Sequence, residues 1–214
     1  MELARRIEHT HLSANTLYED IERLCKEAKA HQFYGVCVPP YFVRDTVRLL
    51  QDAPVKTITV IGFPMGYSTT PAKVEEVKRA IDEGVDEVDV VVNITAVKHK
   101  NWAYVRNDLD AVTRSTHLKG KVIKVILETT LLEETEIIKL CQICSELDVN
   151  YVKTSTGYNG TNATPELIRL MKQNISNTVK IKASGGIRTQ AEALALVEAG
   201  ASKIGTSSGI DIIK

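Results

Sequence analysis

Eight short, β-branched runs that are apolar on both parities set the terms for how this chain folds. They are Ile7–Leu12, Tyr34–Pro39, Thr57–Phe63, Glu87–Ile94, Lys121–Glu128, Tyr151–Ser155, Val179–Ser184 and Ser202–Thr206. Val88-Asp89-Val90-Val91-Val92 shows the pattern best. A strand with alternating polarity leaves one face in water. A strand without alternation must be covered on both faces, which is the habit of parallel strands. Helical stretches fill the gaps. Ala72–Glu83 carries Val74, Val77, Ala80 and Ile81 at helical spacing. Pro165–Gln173 opens with Pro at its first position behind Thr164, a good N-cap residue. Thr189–Ala199 is ended by Gly200.

Strict βα alternation with short loops gives a parallel sheet with crossover helices. Eight units in 214 residues predict a single closed (β/α)8 TIM barrel, at the small end of its usual size, occupying residues 1–214 as one domain. The alternative, an open doubly wound sheet, calls for a G-x-G-x-x-G after the first strand, and the sequence has none there. No linker, low-complexity tract or second domain interrupts the alternation.

Composition narrows the function classes. Charges balance at 27 Lys+Arg against 27 Asp+Glu, so the electrostatic footprint of a nucleic-acid binder is missing. No run approaches the ~18 apolar residues that span a membrane. Met1-Glu2-Leu3-Ala4-Arg5-Arg6 leads into a mixed polar segment without an apolar signal core, so a cytoplasmic location is expected. In such a chain the Asn-x-Ser/Thr sequons at Asn93, Asn159, Asn162 and Asn174 read as coincidental. The four cysteines do not read as a disulfide framework. Cys141-x-x-Cys144 has no second pair to complete a zinc site and shares a helical face with Ile137, Leu140 and Leu147, so core packing is expected. His9-x-His11 suits a strand-borne metal pair, but the later strands offer Lys where further ligands would be needed. Neither a metal nor a cofactor is expected.

Barrel active sites lie at the carboxyl ends of the strands. The fourth strand offers Asp89 and Asn93 there, and the fifth Lys124 and Glu128. The sixth offers Lys153 before Thr154-Ser155-Thr156-Gly157, and the seventh Lys182 before Ala183-Ser184-Gly185-Gly186. The eighth offers Gly205-Thr206-Ser207-Ser208. Parity puts Lys124, Ile126 and Glu128 on one face, as it does Lys153 with Ser155, and Lys180 and Lys182 with Ser184. If these faces point inward, two or three ammonium groups meet one carboxylate, Asp89. One buried Lys reads as a snorkelling rim residue. Three on adjacent strands read as function, because burying them unpaired costs several kcal/mol each.

A free lysine has a pKa near ~10.4 and is a poor nucleophile at neutral pH. A neighbouring cation and an apolar surround disfavour its charged form. The neutral amine attacks a carbonyl to form a Schiff base, and the protonated iminium is an electron sink that permits C–C bond cleavage or formation next to it. The Gly/Ser loops after the seventh and eighth strands sit where these barrels receive a phosphate on backbone N–H groups. A single such loop reads equally as a tight βα turn; two adjacent ones favour phosphate.

These residues resemble the deoxyribose-phosphate aldolase family. Tyr151-Val152-Lys153-Thr154-Ser155-Thr156-Gly157 is similar to its Schiff-base strand. Lys182-Ala183-Ser184-Gly185-Gly186-Ile187-Arg188-Thr189 is similar to its second-lysine strand and phosphate loop. Glu87-Val88-Asp89-Val90-Val91 and Gly62-Phe63-Pro64-Met65-Gly66 resemble its strand-four segment and strand-three loop. The likeness runs from about Ile7 to Ser208. It implies reversible cleavage of 2-deoxy-D-ribose 5-phosphate to acetaldehyde and D-glyceraldehyde 3-phosphate. By the resemblance Lys153 forms the Schiff base, Lys182 tunes it and relays protons, and Asp89 completes the relay. Lys124 matches the strand-five lysine beside that Asp. Thr10, Leu12 and Cys37 match positions at the sugar end, and Thr156 falls within the Schiff-base motif as a substrate contact. Gly157, Gly185, Gly186, Gly205, Ser207 and Ser208 match the phosphate cradle.

Three departures stand out. Glu8 replaces a frequent Asp in the first strand, and Tyr158 stands where some members have a phosphate-facing Lys. The chain stops at Lys214, so a tail Tyr that assists proton transfer in some members is not present and Lys182, Asp89 and water are expected to carry the proton. Two other readings use the same loops: an isomerase or epimerase with acid/base carboxylates, and a silent sugar-phosphate binder. The expected partners are a small sugar phosphate and acetaldehyde, with no nucleic acid and no membrane; a homodimer or higher homo-oligomer is left open.

Overall fold

The structure is a computed structural model that describes residues 2–160 and 163–214. Strands and helices alternate as β1 (Ile7–Thr10), α1 (Tyr18–His31), β2 (Gly35–Val38), α2 (Val43–Leu50), β3 (Lys56–Ile61) and α3 (Thr70–Asp82). Then come β4 (Glu87–Val91), α4 (Ile94–Lys98), α5 (Trp102–His117), β5 (Val122–Ile126), α6 (Glu134–Glu146) and β6 (Tyr151–Lys153). The series ends with α7 (Pro165–Asn174), β7 (Lys180–Ser184), α8 (Gln190–Glu198), β8 (Lys203–Thr206) and α9 (Gly209–Ile213). The strands pair in chain order into a closed barrel, with β8 returning to β1 in parallel. This is the (β/α)8 TIM barrel expected from the two-sided strands. No described helix is long and apolar enough to cross a membrane.

All eight strands fall within or next to the segments read from the sequence, and the differences are mostly at their carboxyl ends. Apolar character continues past the last ladder residue because the following loop is itself buried. Val92 and Leu127 are fully buried, and their N–H groups still bond to Ile126 and Lys153 carbonyls on the next strand. Helix ends follow their caps. Thr164 Oγ1 accepts from Leu167 N ahead of Pro165, and Thr189 forms a reciprocal capping box with Glu192. α3 begins at Thr70, two residues before the expected start, with Pro71 in its first turn.

Strand parity divides the core in two. Val36, Val88, Val125, Val152, Ile181 and Ile204 face outward and pack with helix residues such as Ile21, Val77, Leu109 and Leu140. Cys141 and Cys144 belong to that outer core, and burial pushes the Cys141 thiol up to about 12. Inside the barrel Cys37, Ile58 and Val60 form an apolar patch, with Leu12 and Phe63 against them. Val91 and Ile126 share the inward parity of Asp89 and Lys124, and buried charged side chains occupy much of the remaining interior. Among the sequons, Asn93 caps α4, Asn159 donates to Glu128 and Asn174 donates to the Leu170 carbonyl. Asn162 lies outside the described residues.

Candidate active site

Register brings the interior charges together. Asp89 on β4 is the register partner of Lys124 on β5, Ile126 of Lys153 on β6, and Lys153 of Lys182 on β7. Partners in a parallel ladder point to the same face, so all three amines enter the barrel. Asp89 Oδ2 accepts from Lys153 Nζ at 2.8 Å and from Lys182 Nζ at 2.7 Å, while Oδ1 accepts from Lys124 Nζ at 3.1 Å. One carboxylate thus holds three ammonium groups. Lys182 reaches it because β8 offers Gly205 at the crossing. A Cβ there would stand 2.9 Å from Lys182 Cε and 3.1 Å from Ser184 Cβ.

The expected excess of amine over a single carboxylate needs correction. Glu8 on β1 accepts from Lys182 Nζ and lies 3.5 Å from Lys124 Nζ. Glu87, two residues before Asp89, places Oε2 at 2.5 Å from Lys124 Nζ. Both are buried. Each carries a sequence signal, being an acid inside an apolar run with inward parity. What the signal lacks is the closure that carries β1 across to β7. Burial by itself would raise the Asp89 carboxyl, but Lys124, Lys153 and Lys182 outweigh it and hold Asp89 well below the usual carboxylate range. Burial likewise opposes charge on Lys182 and Lys124. Asp89 and Glu8 override it at both, joined at Lys124 by Glu87, and raise the two ammonium groups above the ordinary lysine range.

Above this layer a cavity of about 510 Å³ opens at the carboxyl ends of the strands. Lys153, 3% exposed, lines it, whereas Lys182, Lys124 and Asp89 lie beneath. The expected Thr10, Leu12, Thr156, Gly157, Gly185, Gly186, Gly205 and Ser207 all line it as well. Gly185 has φ +102°, a conformation that keeps side chains off this loop. Cys37 sits in the apolar interior patch below Leu12, and burial pushes its thiol up to about 11. Ser208 borders an adjoining cleft of about 330 Å³ beside His9, His11 and Asp20, and its N–H donates to Thr206 Oγ1.

Arg188 is a cavity residue that the sequence alone does not single out; it lines the wall beside Gly185 and Gly186. Its only sequence signal is its place at the end of the glycine loop. Glu128 follows β5 with φ +60° and serves as a loop anchor rather than an interior strand residue. It accepts from Thr156 Oγ1, from Thr156 N at 3.1 Å and from Asn159 Nδ2 at 2.9 Å. Tyr158 then crosses the mouth. Its hydroxyl donates to the Leu12 carbonyl at 2.7 Å, and its ring meets Phe63 edge-on at 5.4 Å. His9 turns away from the site, bonding Glu27 at 2.8 Å, and His11 lies 3.9 Å from Asp20. Among the described residues no three His, Cys, Asp or Glu side chains are grouped to hold a metal.

Comparisons with known proteins find relatives along the whole chain. A family profile described as DeoC/LacD family aldolase matches residues 3–214. The deoxyribose-phosphate aldolase of Thermococcus kodakarensis is 46% identical over 215 residues, covering 100% of this chain and 96% of its own. A solved structure named QR15, an aldolase, superimposes with a TM-score of 0.94 at 38% identity, covering 99% of this chain and 94% of its own. The deoxyribose phosphate aldolase of Aeropyrum pernix, described as a unique tetramer, gives 0.91 at 30% identity, covering 99% of this chain and 89% of its own.

Proposed function

The chain belongs to the DeoC/LacD family of aldolases, which makes it a carbon–carbon lyase, and from that premise we propose that it cleaves 2-deoxy-D-ribose 5-phosphate reversibly to D-glyceraldehyde 3-phosphate and acetaldehyde. The observation that carries the reading is one oxygen, Asp89 Oδ2, bridging the Lys153 and Lys182 amines at the floor of a cavity walled by glycine loops.

The open-chain aldehyde enters with its phosphate toward Gly185, Gly186, Gly205, Ser207 and Arg188. Backbone N–H groups and the guanidinium suit a phosphate there. Lys153 is the amine that reaches the cavity, and with its proton released it adds to C1. Lys182, held as ammonium, protonates the carbinolamine hydroxyl, which leaves as water and gives the iminium. Lys182, now neutral, takes the proton of the C3 hydroxyl. The C2–C3 bond then breaks, its electron pair forms the enamine, and C3 becomes the aldehyde of glyceraldehyde 3-phosphate. Lys182 returns the proton to C2, and water hydrolyses the iminium to release acetaldehyde. Asp89 holds both amines in line throughout. Thr10 and Leu12 bound the aldehyde end.

Reduction in the presence of acetaldehyde tests the reading. A reduced adduct should map to Lys153 by mass spectrometry, and Lys153→Ala should abolish cleavage in a coupled retro-aldol assay. Activity surviving Lys153→Ala would favour an acid/base isomerase or epimerase. Binding of the sugar phosphate without turnover would favour a silent binder.

A further inference from the structure

Below Asp89 the barrel holds charge where a packed apolar layer is the norm. Glu87 and Asp89 share the inner face of β4, about 6.6 Å apart by strand rise. Tyr34, just before β2, donates its hydroxyl to Glu87 Oε1. Lys203 on β8 is the register partner of Lys182 and lays its amine over the Tyr34 ring. Glu87 is 2% and Lys203 7% exposed, and neither lines the substrate cavity. The mechanism above uses neither of them.

Among the described residues, the buried strand positions facing the interior hold four amines, Lys124, Lys153, Lys182 and Lys203, against three carboxylates, Glu8, Glu87 and Asp89; the buried Glu128 stands outside this column, in the loop after β5. Fully ionised, the column carries one net positive charge; with one amine neutral it carries none. An unbalanced charge in a dry interior is disfavoured, so the column as a whole favours one missing proton. Schiff-base formation needs one neutral amine.

We propose that Glu87 and Lys203 form a charge-setting layer, positioned by Tyr34, that fixes how readily the lysine set above them gives up the proton that must leave before attack. The proposal rests on the Schiff-base reading of Lys153. Glu87 and Lys203 touch no substrate; they are positioning residues acting through Lys124, Asp89 and Lys182. The charges acting on Lys203 are Glu8, Glu87, Lys124 and Lys182. Tyr151 also faces this layer, with Lys180 5.9 Å above its ring, while Lys56 pairs with Asp86 at 3.2 Å. Burial brings the Lys203 ammonium down to about 7, so this layer changes charge near neutrality. Burial, and then the bond to Glu87, push the Tyr34 phenol up, so it remains a donor.

The pH profile of kcat/KM for retro-aldol cleavage, from about pH 5 to about pH 9, tests the layer. The substrate phosphate titrates identically in every variant and drops out of the comparison. Glu87→Gln removes a negative charge, so the set gives up its proton more readily and the acid limb moves down, by on the order of one unit. Below about pH 7, where Lys203 still carries its proton, Lys203→Met removes a positive charge and moves the limb up. A merely structural role would lower the rate at every pH and leave the limb in place. An unmoved limb, or both substitutions moving it the same way, overturns the layer. If Glu87→Gln does not fold, Lys203→Met decides alone, because it exchanges a buried amine for an apolar chain of similar length. A wild-type protein whose Lys153 cannot be trapped overturns the Schiff-base reading itself; a trapped Lys153 with an unmoved limb overturns only the layer.

Discussion

Asp89 pairs with three lysines at once, and its replacement should separate chemistry from stability. Asp89→Asn leaves three lysines facing an amide. Breaking a buried ion pair by removing one partner costs about 3–5 kcal/mol, which urea denaturation would register as a lower midpoint. Retro-aldol kcat should fall by about 10²–10⁴-fold, the usual range for a lost acid/base arrangement, and a kcat within threefold of wild type would remove Asp89 from the mechanism. Lys153, Lys182, Lys124 and Asp89 are legible in the sequence because a run apolar on both parities has no wet face on which to place a charge. Glu8 carries the same signal. In the sequence it reads only as a departure from a motif, because nothing local says that β1 lies across from β7. Arg188 is hidden for a related reason: a lone arginine at a loop end looks like any exposed cation until the cavity beside it is known.

Loops, more than strands, hold what the sequence leaves open at the level of elements. The strand and helix segments are readable because two-sided burial and helical spacing are periodic, and the caps at Thr164 and Thr189 are local. The bracing of the β6–α7 loop is not periodic. It depends on Glu128 adopting φ +60° and on Tyr158 reaching a carbonyl 146 residues earlier in the chain. Tyr158→Phe keeps the ring against Phe63 but removes the bond to Leu12. The expected result is a KM raised several-fold with kcat changed less, since a neutral hydrogen bond of about 1 kcal/mol is lost from the mouth and not from the lysines. An equal loss in both parameters would place the phenol in the chemistry instead. Thr189→Ala should lower stability by about 1 kcal/mol through the lost α8 cap, measured as a reduced denaturation midpoint. It should also raise KM for the phosphorylated substrate more than for an unphosphorylated one, because the cap fixes the end of the Gly185–Arg188 loop.

For the whole molecule, the charged interior predicts a stability plateau with two edges. Asp89 is depressed in the folded state, so its contribution is present above the unfolded carboxylate value near ~3.9 and is lost as pH falls toward the folded value. Lys124 and Lys182 are raised, so theirs is present below the unfolded lysine value near ~10.4 and is lost as pH rises through the folded values. Thermal midpoints should therefore fall below about pH 4 and again above about pH 10.4. Lys203 acts in the opposite sense: burial lowers it, so the unfolded chain binds its proton more readily and stability is drawn down as pH falls from ~10.4 toward 7. Lys203→Met should raise the thermal midpoint by several degrees at neutral pH, and a lower midpoint would show that the amine is a net stabiliser of the interior. The barrel itself is legible because eight two-sided strands in strict alternation have few ways to be covered; its seam is not, because pairing of β8 with β1 is the least local of the strand pairings.

That seam has a consequence for when the molecule becomes reactive. Glu8 and Lys182 are 174 positions apart, and contacts of such separation form late when chain closure is entropically costly. A half-made or partly opened barrel leaves its lysines solvated and fully protonated, no more nucleophilic than any on the surface. Under the proposed Schiff-base chemistry, an aldehyde would then meet a correctly placed amine only in the finished molecule. The ring closure that completes the fold also acts as the safety catch on its chemistry.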